Sequence, residues 1–181
     1  SLADASGLRN RLIEHLEEAD TECAAKACAR GPLLTCVVAG GGFAGVETIA
    51  ASNDFVRGAV RLYPNPADES IRMVLVHSGE TILPELCEKL GHYAARKLAE
   101  RGIELRLGVR VTGMSDTAVQ LSDGSTLETR MLVWTAGTAP HALLSTLPCA
   151  SERGRIVVDE HLEVKDRPGV WAVGDCAMVP N

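Results

Sequence analysis

An apolar run followed by four glycines occupies residues 33–47, which read LLTCVVAGGGFAGVE. The run Leu33–Val38 is short and partly β-branched, which is typical of a strand buried in a parallel sheet. Residues Gly40–Gly45 then form the pattern G-x-G-x-x-G, and helical spacing continues from Phe43 to about Leu62. A strand, a glycine turn and a helix in this order predict the first unit of a dinucleotide-binding fold.

The spacing of the glycines has a physical explanation. Gly40 permits a tight turn, Gly42 lets a pyrophosphate approach the backbone, and Gly45 lets the helix pack closely on the strand. The start of the helix offers unpaired N–H groups and the positive end of its dipole to the phosphates. The loop residues that we expect to contact a cofactor are Gly40, Gly41, Gly42, Phe43, Ala44 and Gly45.

The chain downstream of the glycines continues the alternation of strands and helices. We predict a second strand at Ile71–Val76, a second helix at Pro84–Arg101 and a third strand at Ile103–Leu107. Pro84 suits the first turn of the helix, and Gly102 suits its C-terminal cap. These elements predict a βαβαβ half of a Rossmann-like α/β domain with a parallel sheet.

A change of period interrupts this alternation. Three short runs, Arg110–Met114, Ala118–Leu121 and Thr126–Arg130, predict an antiparallel three-stranded excursion with a hairpin turn at Asp123-Gly124. A buried strand at Met131–Trp134 is predicted to return to the parallel sheet.

Further elements are predicted on either side of this domain. Apolar residues at helical spacing predict an amphipathic helix over Leu8–Cys28 that ends near Gly31-Pro32. Trp134 and Trp171 are expected in the core. The short apolar runs of the tail are Arg155–Val158, His161–Val164 and Val170–Val173.

Composition excludes several classes of function. Hydrophobic residues make up 46% of the 181 residues, which is ordinary for a folded domain. A net charge of −6, 3% aromatics and no basic block argue against a nucleic-acid partner. We find no signal peptide pattern, no apolar run long enough for a membrane segment and no metal-binding motif. Six scattered cysteines without a C-x-x-C pair fit a reducing, cytoplasmic compartment.

The end of the second strand bears on the choice of cofactor. An acidic residue is expected there to bind the adenosine ribose, but the chain has His77, with Ser78 and Glu80 following. Ser78 could bond a ribose hydroxyl and Glu80 could reach one, whereas His77 either contacts the cofactor or simply ends the strand. No Arg follows this strand closely, which favours NAD(H) over NADP(H).

Three motifs resemble one known family. Gly40–Glu47 (GGGFAGVE), Met131–Pro140 (MLVWTAGTAP) and Pro168–Asp175 (PGVWAVGD) resemble the NAD-binding loop, a later strand and the second FAD motif of two-dinucleotide flavoprotein oxidoreductases. The sequence LVWTAG at residues 132–137 and the segment Ile82–Leu86 (ILPEL) look most like those of type II NADH dehydrogenases. This resemblance implies that hydride passes from NADH to FAD and that the flavin then reduces a quinone.

The resemblance also implies roles for single residues. Glu47 would point toward the nicotinamide, although a helix-start carboxylate is stabilised by the dipole in any case. Ala136 and Gly137 would line the adenosine side of the cleft, although Gly137 could simply end a strand. Asp175 would bind FAD, although it could simply cap a helix. No side chain is predicted as a catalytic acid, base or nucleophile.

Comparison with the family motif order predicts that the chain is a fragment. We expect a connecting helix at 1–30, an NAD(H)-binding domain at 31–148, and a return segment at 149–181 toward an FAD domain of the same polypeptide. Such a fragment would bind NADH without turnover. The alternatives are the NAD(P)H-binding domain of another two-dinucleotide flavoprotein reductase and a non-catalytic nucleotide-binding module.

The cysteines are not expected to be redox-active. Cys23 and Cys28 have a C-x-x-x-x-C spacing, but five positions along a helix do not share a face. Cys36 is predicted in the core of the first strand. Cys176 follows the Gly-Asp motif and has no evident activating base.

Overall fold

The computed structural model describes residues 1–21, 27–66, 70–137 and 139–180. The chain divides into two compact units, Ser1–Ala136 and Gly137–Asn181. They are described one at a time. The functional boundaries expected at 30/31 and 148/149 remain predictions.

The first unit is built on a parallel sheet of four strands. The strands are β1 (Thr35–Ala39), β2 (Arg72–Val76), β3 (Ile103–Arg106) and β7 (Met131–Trp134), in the order β3-β2-β1-β7. All neighbouring pairs run parallel. The predicted Rossmann-like half is therefore confirmed, and the order of strands reverses between β1 and β7.

Two helices connect these strands. Helix α3 spans Phe43–Ala59 and is extended by a 3-10 turn at Val60–Leu62, as predicted. Helix α4 spans Glu88–Glu100. Placing Pro84 in the first turn of α4 was wrong, because this helix begins only after Cys87.

The turn before α4 and the turn after it are formed differently. Leu83 has a φ of 54°, and its carbonyl accepts the N–H of Leu86, so Pro84 lies inside a turn. Gly102 does follow the end of the helix, at a φ of 77°, and its N–H donates to the carbonyl of Ala99. A glycine in this conformation is a usual helix C-terminus.

The N-terminal region contains two described helices where one was predicted over Leu8–Cys28, and residues 22–26 of that prediction lie outside the described part of the chain. Helix α1 spans Leu2–Thr21, and helix α2 spans Ala27–Leu34 with Pro32 inside it. Strand β1 therefore begins two residues later than predicted, because the apolar pair Leu33-Leu34 ends a helix. An apolar run alone does not separate a buried helix end from a buried strand.

The two faces of the parallel sheet are covered by different layers. Val38, Met73 and Leu75 join a core with residues of the helices, among them Leu16 and Ile49. The alternate residues of the same strands, Val37, Val74 and Val76, pack against Val119, Leu121 and Leu127. This alternation follows from the two-residue period of a strand.

The second layer is the predicted antiparallel excursion. Its strands are β4 (Val111–Met114), β5 (Ala118–Leu121) and β6 (Thr126–Glu128), in the order β4-β5-β6. Gly124 has a φ of 85°, and the Asp123 carboxylate accepts the N–H and the hydroxyl of Ser125. Both the excursion and its hairpin turn are confirmed.

The second unit contains little regular structure. It has a sheet of β8 (Ser151–Glu152), β9 (Arg155–Val157) and β10 (Ala177–Met178). The runs predicted at His161–Val164 and Val170–Val173 make only isolated bridges.

Both tryptophans lie at the surface, which corrects the expectation that they belong to the core. Trp134 and Trp171 are each 61% exposed. Trp134 is the last residue of β7, and its ring N–H donates to the carbonyl of Ala136 at 2.8 Å. A large ring at the end of a strand extends past the layers that cover the sheet.

None of the described helices combines the length and the hydropathy needed to cross a membrane.

Candidate functional site

The turn after β1 accepts only glycine at its first position. Gly40 has a φ of 122°, and its N–H donates to the carbonyl of Val76 at 2.8 Å. A Cβ on Gly40 would lie 2.7 Å from Oγ1 of Thr135 and 2.9 Å from the backbone nitrogen of Ala136. Backbone conformation and crowding by the end of β7 therefore both require glycine here.

Gly41 is fixed by two hydrogen bonds. Its N–H donates to Nδ1 of His77 at 3.1 Å, and its carbonyl accepts the N–H of Leu83 at 2.7 Å. A Cβ on Gly41 would lie 2.6 Å from Cγ of the same imidazole. His77 thus holds the glycine loop against the end of β2, a structural role that sequence reasoning did not assign to it.

The last two glycines of the motif differ sharply in their surroundings. A Cβ on Gly42 would meet only Oε1 of Glu85, at an ordinary contact distance of 3.7 Å. A Cβ on Gly45 would lie 2.8 Å from Oγ1 of Thr135 and 2.9 Å from the carbonyl carbon of Gly40. Gly45 is therefore required by packing inside the fold, whereas at Gly42 the fold has room for a Cβ at ordinary contact distance from Glu85.

The N-terminus of α3 is open to an anion. Gly42 precedes the helix and has no side chain to cap it, and Val46 donates back to Gly42 at 3.1 Å. The first-turn residues Phe43 and Ala44 are exposed. Their N–H groups precede the first intrahelical donor and point out of the helix end. Such a helix start attracts phosphate through free N–H groups and the helix dipole.

A cleft of about 420 Å³ lies beside this loop. It is bounded by the carboxyl ends of β1, β2 and β7 and by the link from β3 into β4. Ligands of open α/β sheets bind at this edge, where the strand order reverses. Residues lining the cleft include Gly40, His77, Ser78, Arg110, Trp134 and Ala136.

Four of the predicted site residues meet in this cleft. Gly40 comes from β1, His77 and Ser78 follow β2, and Ala136 follows β7. Arg110 and Trp134 also line it and were missed by the sequence analysis. The sequence holds no local signal for Arg110, because this residue reaches the cleft only through the pairing of β2 with β3.

Other predicted residues do not line this cleft. Glu80 lies beside Gly108, where a Cβ would come 3.2 Å from its Oε1. Glu47 is exposed in α3. In the second unit, Gly137 has a φ of 72° and is exposed. Asp175 is exposed within the 3-10 turn Gly174–Cys176. Their predicted roles stay predictions.

A larger opening of about 900 Å³ lies elsewhere on the first unit, lined by residues of α1 and of the turn between β4 and β5. Arg11, His15 and Arg130 contribute to it, and an ion pair joins Arg130 to Glu18. The described residues that line it are all different from those that line the cleft beside the glycine loop. The cleft beside the glycine loop is the candidate site despite its smaller volume, because it adjoins the helix start that can bind phosphate.

The described residues show a buried thiol at Cys36 and no cluster of metal ligands. Burial raises the pKa of the Cys36 thiol to about 12, which makes it an inert core residue, as expected. Cys23 and the side chain of Cys28 lie outside the described part of the chain. The described residues contain no group of His, Cys, Asp and Glu side chains that could hold a metal ion.

Comparison with known proteins identifies the family of this chain. The family model described as Pyridine nucleotide-disulphide oxidoreductase matches residues 2–181. A probable NADH dehydrogenase of Dictyostelium discoideum is 31% identical over 99% of this chain and 40% of its own length. The type II NADH:quinone oxidoreductase Ndh of Mycobacterium tuberculosis is 30% identical, with the same coverage of 99% and 40%.

Solved structures share the fold. NDH2 from Plasmodium falciparum in complex with NADH superposes with a TM-score of 0.82, at 22% identity over 99% of this chain and 39% of that chain. The chain thus spans about two fifths of the length of these relatives. The match along nearly the whole sequence confirms the resemblance found in the three motifs. The chain belongs to the pyridine nucleotide-disulphide oxidoreductase family.

Proposed function

We propose that this chain is the NAD(H)-binding part of a flavin-dependent NADH dehydrogenase whose electron acceptor is a quinone. The observation that carries the proposal is the open helix start at Gly42 beside the cleft at the carboxyl ends of β1, β2 and β7. Relatives are named NADH dehydrogenase and NADH:quinone oxidoreductase, and we extend those activities to the protein that contains this chain.

The residues of the loop fit a dinucleotide pyrophosphate. Phosphate oxygens in front of Gly42 would accept the free N–H groups of the first turn of α3, where the helix dipole adds attraction. The absence of a side chain at Gly42 allows this approach, while Gly40 and Gly45 hold the turn in shape. His77 keeps Gly41 in place and leaves the loop little freedom to lose on binding.

The adenosine end of the cofactor would occupy the cleft. Ser78 offers a hydroxyl to the ribose, and the backbone at Ala136 forms the opposite wall. Glu47, on the exposed side of α3, would face the nicotinamide half. The bound cofactors would supply the chemistry themselves, with hydride passing from NADH to FAD and electrons then passing to a quinone.

The residues proposed to contact FAD lie in one turn of the second unit, at Gly174-Asp175. Gly174 has a φ of 73°, with no described heavy atom within 4 Å of the place that a Cβ would take, and Asp175 beside it is exposed. A free carboxylate on a tight turn suits a ribityl hydroxyl. We propose that Asp175 binds the ribityl part of FAD held by an FAD domain of the same polypeptide.

We also propose that the whole protein is cytoplasmic and is bound peripherally to a membrane.

The test separates binding from turnover. Calorimetric titration of the 181-residue chain with NADH is expected to give saturable binding at one site. With FAD and a soluble quinone added, the nicotinamide absorbance is expected to decay no faster than without protein. Absence of NADH binding would contradict the proposal, and rapid NADH oxidation by the chain alone would contradict the assignment of FAD binding to a separate domain.

A further inference from the structure

Arg110 brings a positive charge to the cofactor cleft. Its backbone is fixed, because its N–H donates to Oγ of Ser122 at 3.1 Å and its carbonyl accepts the N–H of Ser122 at 2.9 Å. The arginines on β2 and β3 behave differently: Arg72 and Arg106 both form ion pairs with Glu104. Among the described residues, no carboxylate or hydrogen-bond acceptor takes the guanidinium of Arg110.

The charges around the cleft favour an anion. The described residues that line it include no Asp or Glu. His77 stands at the end of β2, where a carboxylate is expected in a site that binds the free 2′-hydroxyl of NADH. Its Nδ1 already accepts the N–H of Gly41, and Glu80 lies beside Gly108 instead of in the cleft.

NADH and NADPH differ at the 2′ position of the adenosine ribose, which the proposed function places in this cleft. A carboxylate there binds the 2′-hydroxyl and repels a 2′-phosphate, whereas a nearby Arg accommodates the phosphate. A guanidinium donates two parallel hydrogen bonds to phosphate oxygens, and it stays charged at all physiological pH values. Arg110 provides that group, and the Ser78 hydroxyl on the same cleft provides a further donor.

We infer that the cleft accepts NADPH as well as NADH, and that Arg110 binds the 2′-phosphate of NADPH. This inference rests on the proposed function, since it assumes that the adenosine ribose lies between Ser78 and Arg110. The sequence favours NADH because no Arg directly follows β2. The fold supplies one from the link between β3 and β4, where Val109 donates its N–H to the carbonyl of His77 at 3.2 Å.

The experiment compares both cofactors on three versions of the chain. NADPH and NADH are titrated into the unmodified chain, the Arg110→Gln variant and the Arg106→Gln variant, with nicotinamide fluorescence as the readout. Arg106→Gln removes the same charge from a nearby residue that is paired with Glu104 and does not line the cleft. We expect Arg110→Gln to weaken NADPH binding roughly tenfold or more, as for a lost charge-assisted hydrogen bond.

The NADH affinity is expected to change less than about twofold in Arg110→Gln, and Arg106→Gln is expected to leave the preference between cofactors unchanged. Equal weakening of both cofactors by Arg110→Gln, or binding of NADH alone by the unmodified chain, would overturn the inference and leave the proposed function intact. Binding of neither cofactor would overturn both.

Discussion

The packing of Gly45 gives a prediction that can be worked out from distances. In Gly45→Ala, the new methyl would lie 2.8 Å from Oγ1 of Thr135 and 2.9 Å from the carbonyl carbon of Gly40, and closer still to the carbonyl oxygen of Gly40. Ordinary contacts of a methyl group are roughly 3.5–4.0 Å, so both neighbours must move. Neither moves easily, because Thr135 is bonded to Ala39 through both its N–H and its hydroxyl, each at 2.9 Å.

The expected free-energy change follows from two opposing effects. Forcing an extra carbon into a well-packed site costs about 1–3 kcal/mol. The upper value applies here, because the atoms of Gly40 that must move belong to the backbone and the Gly40 N–H is hydrogen-bonded to the carbonyl of Val76. Ala gains at most about 1 kcal/mol over Gly from helix propensity. We therefore expect Gly45→Ala to lower the free energy of unfolding by about 2 kcal/mol or more.

A matched control lies in the same helix. Gly58 has no described heavy atom within 4 Å of an added Cβ, so Gly58→Ala is expected to raise the free energy of unfolding by up to about 1 kcal/mol. The assay is urea unfolding followed by far-ultraviolet circular dichroism, since the described α-helices α1 to α4 all lie in the first unit. A Gly45→Ala variant as stable as Gly58→Ala would refute the packing argument.

Two other predictions concern histidines. His77→Ala removes the acceptor for the N–H of Gly41 and is expected to cost about 1 kcal/mol of stability in urea unfolding, whereas His77→Asn keeps an acceptor near Nδ1 and is expected to cost less than half as much. Burial, together with the charges of Arg11 and Arg130, lowers the pKa of His15 from its ordinary value of 6.5. The unfolded chain therefore takes up this proton first, so the urea midpoint is expected to fall as the pH drops from about 7.5 to about 5.5, and His15→Leu is expected to show a smaller fall.

The glycine motif and the alternation of elements were enough to predict the parallel sheet. Gly40–Gly45 follow β1 directly, and the βαβαβ order leaves few arrangements for the strands. The hairpin at Asp123-Gly124 was predictable for a similar reason, since its turn chemistry is local.

The errors arose where burial or pairing depends on distant residues. Leu33 and Leu34 are suited to burial in a helix or in a strand, and only their packing assigns them to the end of α2. Trp134 was expected in the core because it ends an apolar strand, yet the layers that cover the sheet do not reach its ring.

The candidate site was also predictable only where its residues belong to local sequence patterns. Gly40, His77 and Ser78 were found from local patterns, and the structure brings them to one cleft. Arg110 could not be found in this way, because its place on the same cleft follows from the pairing of β2 with β3 and from the turn at Gly108. The role of His77 in holding Gly41 was also invisible to a search that expected only a ribose contact.

The most direct test of the glycine loop as a cofactor site is NADH titration of Gly42→Val by calorimetry, with Gly58→Val as the control. The fold leaves room at both positions, so both variants are expected to unfold at nearly the urea concentration of the unmodified chain. We predict that Gly42→Val weakens NADH binding at least about tenfold, because its side chain occupies the phosphate position, while Gly58→Val binds normally. Unchanged NADH affinity in a folded Gly42→Val chain would mean that the dinucleotide binds elsewhere.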